Sequence, residues 1–169
     1  MRFSLPAAAA VLSLASVALA GQQAASRPVL RGVAPHVSAD GVKVGDPFTV
    51  TLDLTPAPRI HVYAPTVVND KPIALTVRPQ PGLIVRGVSY PPAEKYFYAP
   101  LKETIDVYQK PFRILQELAI DGSPAGRRAL NGVSTLTIQG TLSYQACDDK
   151  ICFPPRTVPM TWIVAIKES

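Results

Sequence analysis

Cysteine is almost missing from this chain: 2 of its 169 residues, Cys147 and Cys152. That is too few for a disulfide scaffold, in which several bridges replace a core. Histidine is equally scarce, and His36 and His61 lie more than 80 positions upstream of the cysteines, so the four do not form a zinc-type spacing. Both histidines read as loop or core residues. No Ser-His-acid arrangement, glycine-rich phosphate loop or paired catalytic carboxylates can be argued. Lys and Arg outnumber Asp and Glu by 17 to 12, but they are scattered, and Arg127-Arg128 is the sole adjacent basic pair. No stripe exists that could track a phosphate backbone, so nucleic acid is not an expected partner. No window of a dozen residues keeps a 3.6-residue period, and 18 prolines would interrupt most helices. Beyond residue 20 no apolar run is long enough to span a bilayer.

The first twenty residues carry the one long apolar run. Arg2 gives a short basic start, Ala7 to Val17 an apolar stretch, and Ala18-Leu19-Ala20 the small-x-small pattern of a signal-peptidase site. Residues 1–20 are therefore expected to be a signal peptide cleaved after Ala20, which places the rest in the periplasm without stable membrane insertion. No cysteine follows the cleavage site, which excludes a lipoprotein anchor there. Residues 21–39, small, polar and proline-containing, read as a linker or a loosely held first strand. Residues 40–169 are expected to form one domain. In an oxidising compartment the cysteine pair can form a disulfide and keep it.

Within that domain the period is two. Phe48, Val50, Leu52 and Leu54 alternate with Thr49, Thr51 and Asp53, which sends one face of a strand to a core and the other to water. Shorter stretches follow at Ile73–Val77, Leu83–Val88, Ile105–Val107 and Phe112–Ile120. They are separated by turn formers such as Pro79-Gln80-Pro81-Gly82 and Asp121-Gly122-Ser123-Pro124. The clearest patterns are the last two, Leu136 to Tyr144 and Val158 to Ile166. Pro159 in the final one cannot donate a ladder hydrogen bond and calls for an edge or a bulge. The fold expected is all-β, an immunoglobulin-like antiparallel sandwich of about seven to nine strands, with a closed barrel as the competing architecture.

Between those two strands lies Tyr144-Gln145-Ala146-Cys147-Asp148-Asp149-Lys150-Ile151-Cys152-Phe153-Pro154-Pro155. A tight turn through the four-residue spacer can bring the two cysteines within disulfide reach. The bridge is either a staple or a site of exchange. In the loop-entropy view, a ring of about six residues stabilises by roughly 2 kcal/mol, against more than about 4 kcal/mol for a bridge across about 60 residues. A staple here would be a poor one. Pro154-Pro155 stiffens the chain after Cys152, and a connecting loop can be approached by another protein. Asp148 and Asp149 outweigh Lys150, so the local charge does not favour a thiolate, and exchange would depend on docking to a partner. A soft Cu(I) site is chemically allowed, but two sulfurs are few for it.

The motif Tyr-Gln-x-Cys, polar spacer, Cys-aromatic-Pro-Pro resembles the active-site loop of the N-terminal periplasmic domain of DsbD, the bacterial thiol:disulfide interchange protein. His61-Val62-Tyr63-Ala64-Pro65 and Tyr90-Pro91-Pro92-Ala93-Glu94-Lys95-Tyr96-Phe97-Tyr98 extend the likeness, which covers most of residues 40–167. It implies an immunoglobulin-like fold and a shuttle without cofactor or metal. The shuttle is reduced by a membrane partner and reduces periplasmic disulfide isomerases or thioredoxin-like proteins, including those of cytochrome c maturation. It implies Cys152 as the attacking sulfur and Cys147 as the resolving one, with Tyr144, Pro154 and Pro155 supporting the loop. It also implies an aromatic cap, matched best by Phe97 with Tyr96 and Tyr98 beside it; the same trio could instead be a cluster closing one end of the sandwich. The spacer is one residue shorter than in the family's best-known member. With neither a multi-helix membrane domain nor a thioredoxin-like domain before Ser169, the expectation is a stand-alone protein-disulfide reductase or interchange component fed by a separate membrane electron donor. The rival is a binding or adaptor module with an inert disulfide.

Overall fold

The computed structural model describes residues 29–68, 70–99 and 102–167. The expected signal peptide and residues 21–28 lie outside these. In chain order the strands are β1 (Leu30–Val37), β2 (Val42–Lys43), β3 (Pro47–Pro56), β4 (His61–Tyr63), β5 (Ala74–Val77) and β6 (Leu83–Ser89). Then come β7 (Glu94–Tyr98), β8 (Glu103–Tyr108), β9 (Phe112–Ile120), a short helix α1 (Pro124–Ala129), β10 (Thr135–Tyr144), β11 (Ala146–Cys147) and β12 (Arg156–Lys167). Those beyond the expected seven to nine are the two- and three-residue strands β2, β4 and β11, too short to show a period.

Two four-stranded sheets form the sandwich. One is ordered β1-β3-β9-β6 and is antiparallel throughout. The other is β2-β12-β10-β5, antiparallel except where β2 runs parallel to the end of β12. The alternation in the sequence becomes the inside and outside of these sheets. Phe48, Val50, Leu52 and Leu54 of β3 and Ile114 and Leu118 of β9 are buried in one core with Ile138 and Leu142 of β10 and Met160, Trp162 and Val164 of β12. Trp162 ties the layers together, its Nε1 donating to the Thr51 carbonyl across 3.4 Å. At Gly140 a Cβ would lie 2.6 Å from the Thr76 carbonyl oxygen and 3.1 Å from the Trp162 ring. The close approach of β5 and that ring requires glycine there.

Local departures from the simple pattern have local causes. β6 is irregular between Val85 and Val88, and buried Gln116 fills the gap, donating from Nε2 to the carbonyls of Arg86 and Gly87. Pro159 sits where β12 has only β10 hydrogen-bonded beside it, since β2 joins at Ile166 and Lys167. The turn formers 121–124 also start α1: the Ser123 side chain caps the Gly126 N–H, and Pro124 takes the first helical position, where no N–H is needed. β1, in the segment read as a linker or loosely held strand, pairs along β3 from Leu30 to Val37.

A third sheet, β11-β4-β8-β7, carries the cysteine end of the domain. It has its own buried cluster, Tyr63, Tyr98, Ile105, Val107 and Cys147, beside the main core. Among the described residues no helix is long and apolar enough to cross a membrane.

Candidate functional site

Cys147 and Cys152 face each other as an antiparallel bridge flanked by two backbone hydrogen bonds, Phe153 N–H to the Ala146 carbonyl and Asp148 N–H to the Ile151 carbonyl, each 2.9 Å. A pair lying between such bonds occupies the narrow position of an antiparallel ladder, where side chains approach most closely. The Cα atoms are 3.9 Å apart and the sulfurs are joined in a disulfide. Asp148 builds the turn, its Oδ1 accepting from the N–H groups of Lys150 (2.8 Å) and Ile151 (2.9 Å). That acid, read from the sequence as a charge against the thiolate, is thus also a structural element of the loop.

The two cysteines differ in access. Cys147, on β11, is fully buried. Cys152 is exposed in the returning arm of the turn. Its sulfur is met by one protein hydroxyl, that of Tyr63, at 3.2 Å.

β4 delivers two side chains to this place. In register, Cys147 lies directly opposite His61, and opposed residues of an antiparallel pair project from the same face. Tyr63, two positions on, leaves β4 on that face too. His61 is 1 % exposed and its ring stacks on Tyr96, centroids 4.3 Å apart and tilted by 34°. Its Nε2 has no hydrogen-bond partner. β7 closes the site from the other side: the Tyr96 hydroxyl donates to Asp149 Oδ1 at 2.9 Å and the Tyr98 hydroxyl to the Lys150 carbonyl at 3.3 Å. Both inward-facing tyrosines of β7 therefore hold the cysteine turn.

Burial sets the protonation of these groups. It holds His61 below the ordinary histidine range, an effect opposed by the nearby charges of Asp149 and Asp148. It pushes the Tyr63 phenol up to about 12, with Asp70 adding to the rise. Tyr96 is raised as well, first by burial and then by its bond to Asp149. At neutral pH the site thus presents a neutral imidazole and protonated phenols around the sulfurs.

The residues singled out from the sequence fall into different positions. Cys147, Cys152, Tyr96 and Tyr98 converge as described. Phe97 points the other way, on the outward face of β7, and is 61 % exposed. Tyr144 is buried in the main core at the end of β10, opposite Arg156, so it fixes the strand from which the turn departs. Pro154 and Pro155 are exposed after Cys152, and Gln145 Nε2 donates to the carbonyl of Phe153 just before them. His36 lies away from this site, its Nε2 3.4 Å from Asp53 on β3. Tyr63, and His61 as a member of the site, were missed. The available signal was their i, i+2 spacing in His-Val-Tyr, which puts both rings on one face of a strand. Among the described residues no group of three or more His, Cys, Asp or Glu side chains is placed to hold a metal ion.

No curated protein sequence matches the chain. Among solved structures, the reduced form of the DsbD N-terminal domain of Neisseria meningitidis is similar, with 17 % identity, a TM-score of 0.47, and coverage of 81 % of this chain and 85 % of that one. The family model described as "Thiol:disulfide interchange protein DsbD, N-terminal" matches residues 33–161, from within β1 into β12 and across the whole cysteine turn. The chain belongs to the family of DsbD N-terminal domains.

Proposed function

We propose that this protein is an exported, periplasmic carrier that relays reducing equivalents from a separate membrane electron donor to thioredoxin-like or disulfide-isomerase proteins through Cys147 and Cys152. The observation that carries the reading is the asymmetry of the pair, Cys152 exposed and Cys147 fully buried. In the reduced domain the accessible Cys152 thiolate attacks a partner disulfide. A Cys152–partner disulfide forms, the partner's own S–S bond breaks, and one partner sulfur leaves as thiolate. Cys147 then attacks the Cys152 sulfur, closes the intramolecular disulfide and releases the second partner sulfur. Two electrons pass from the domain to the partner, and the membrane donor restores the dithiol by the reverse exchange.

The surroundings support each step. The Tyr63 hydroxyl at 3.2 Å from Cys152 Sγ stays protonated at neutral pH and can donate to a Cys152 thiolate, which favours the charged form. The exposed Phe97, on β7 between the two tyrosines that hold the turn, and Ile151 within the turn, 61 % and 56 % accessible, give a partner apolar surface to rest on. Tyr96 and Tyr98 clasp the turn until a partner arrives, taking the shielding role that the family resemblance assigns to the aromatic trio.

Trapping tests the reading. Cys147→Ala should accumulate mixed disulfides through Cys152 in the periplasm, and Cys152→Ala should not. No trapped partner with Cys147→Ala, together with a reduction potential far below about −300 mV, would instead make the bridge an inert staple.

A further inference from the structure

Closing the disulfide from the buried side raises a proton problem. Cys147 is fully buried, so a thiol there cannot hand its proton directly to water as it becomes the attacking sulfur. Within the oxidised site one buried nitrogen stands unpartnered, His61 Nε2. A buried polar atom without a partner is destabilising. Reduction creates in the same place a new protic group, the Cys147 S–H, on the residue directly opposite His61 in the β4–β11 register.

We infer that His61 is the proton acceptor for Cys147: it receives the S–H as a hydrogen bond in the reduced state and takes its proton when Cys147 attacks the mixed disulfide. This rests on the exchange reading above. β4 then divides its work between the two sulfurs, His61 serving the buried one and Tyr63 the exposed one.

The step balances. The proton leaves Cys147 for Nε2 as the Cys147–Cys152 bond forms and the Cys152–partner bond breaks. The imidazolium is discharged to the departing partner thiolate, which becomes the thiol. The groups around the ring suit this use. Tyr63 from its own strand and Tyr96 and Tyr98 from β7 face the ring with phenols, while Asp148 and Asp149 of the turn are the charges that favour the imidazolium. Glu94 and Glu103 share the inward face of the β7–β8 pair by register and are of the same sign. The ring is therefore kept neutral by burial at rest and is aided by acids when it gains a proton.

The experiment separates the two cysteines with oxidised glutathione as the small disulfide. Attack by Cys152 is read as adduct formation in Cys147→Ala, and resolution by Cys147 as adduct decay in the chain with both cysteines, by mass after acid quenching. His61→Phe keeps a ring to stack on Tyr96 but has no acceptor, and His61→Gln provides a second, smaller replacement. Those that retain the wild-type circular dichroism are assayed. Resolution should slow about 100-fold at pH 7 while adduct formation stays unchanged. Wild-type resolution should level off once the pH exceeds the lowered pKa of His61, below the ordinary histidine value, whereas in the variants it should climb about tenfold per pH unit with the thiolate fraction. Resolution in the variants that matches wild type in rate and pH profile would overturn the role of His61. Failure of Cys147→Ala to form any Cys152 adduct is a different result, and would overturn the exchange reading and this inference with it.

Discussion

The Tyr63 hydroxyl lies 3.2 Å from Cys152 Sγ, joining β4 to the cysteine turn across 89 positions of sequence. A hydrogen bond to a sulfur matters most when that sulfur is charged, because a donor facing an ion forms a stronger bond than one facing a neutral group. Tyr63→Phe should therefore raise the pKa of the Cys152 thiol and slow alkylation of the reduced protein by iodoacetamide near neutral pH. A rate-against-pH curve for Cys147→Ala with and without Tyr63→Phe measures it, and superimposable curves would remove Tyr63 from the chemistry.

The inward rings of β7 hold the turn and the outward one does not. Tyr96→Ala removes both the stack on His61 and the bond to Asp149, and should speed reaction of the reduced pair with small oxidants more than Phe97→Ala does. Phe97→Ala should instead slow reduction of a protein partner. Stopped-flow oxidation by hydrogen peroxide, beside turnover with a thioredoxin-like acceptor, compares the two; equal acceleration by both substitutions would return Phe97 to a shielding role.

The disulfide closes a small ring, so it should contribute little to folding. Reducing it should lower stability by about 2 kcal/mol and leave a cooperative unfolding transition. Leu118→Ala, which truncates a fully buried side chain in the main core, should cost more, about 2–5 kcal/mol. Urea midpoints of the oxidised, reduced and Leu118→Ala proteins give the order, and a reduced protein without a folded baseline would mark the bridge as a staple.

His61 gives stability a dependence on pH with a definite sign. Burial lowers its folded pKa below the ordinary value of 6.5, so below that pH the unfolded chain binds the proton that the folded one resists. Stability should fall as pH drops from about 6.5 toward the folded pKa and be unaffected by this group at higher pH. His61→Gln should flatten that part of the profile; an unchanged slope in urea titrations between pH 5 and pH 7 would assign the effect elsewhere.

The parts legible in the sequence are those where one side of a strand meets a core and the other water. β3, β10 and β12 are ten or more residues each and alternate along most of their length, so their faces could be read directly. The cysteine turn was legible because the residues that shape it are contiguous. The partners of that turn were not, because they arrive by register: Ala146 meets Val62 and Cys147 meets His61 through two-residue pairing of distant segments. The i, i+2 spacing of His61 and Tyr63 marks a shared face, but a three-residue strand does not show which face is buried, and the ring that stacks on His61, Tyr96, comes from another strand. The same distance effect hid the division of β7, where alternation turned Tyr96 and Tyr98 inward and Phe97 outward.

The cysteine-bearing sheet has a small apolar cluster of its own, set beside the sandwich core rather than within it. Segments with a separate and smaller core open at lower free energy than the whole. Amides of β7 and β11 should accordingly exchange with solvent by fluctuations that leave β3, β9 and β10 protected. A partner could then pry the tyrosines from the turn many times over without drawing on the stability that keeps the molecule folded, much as a latch wears independently of its door.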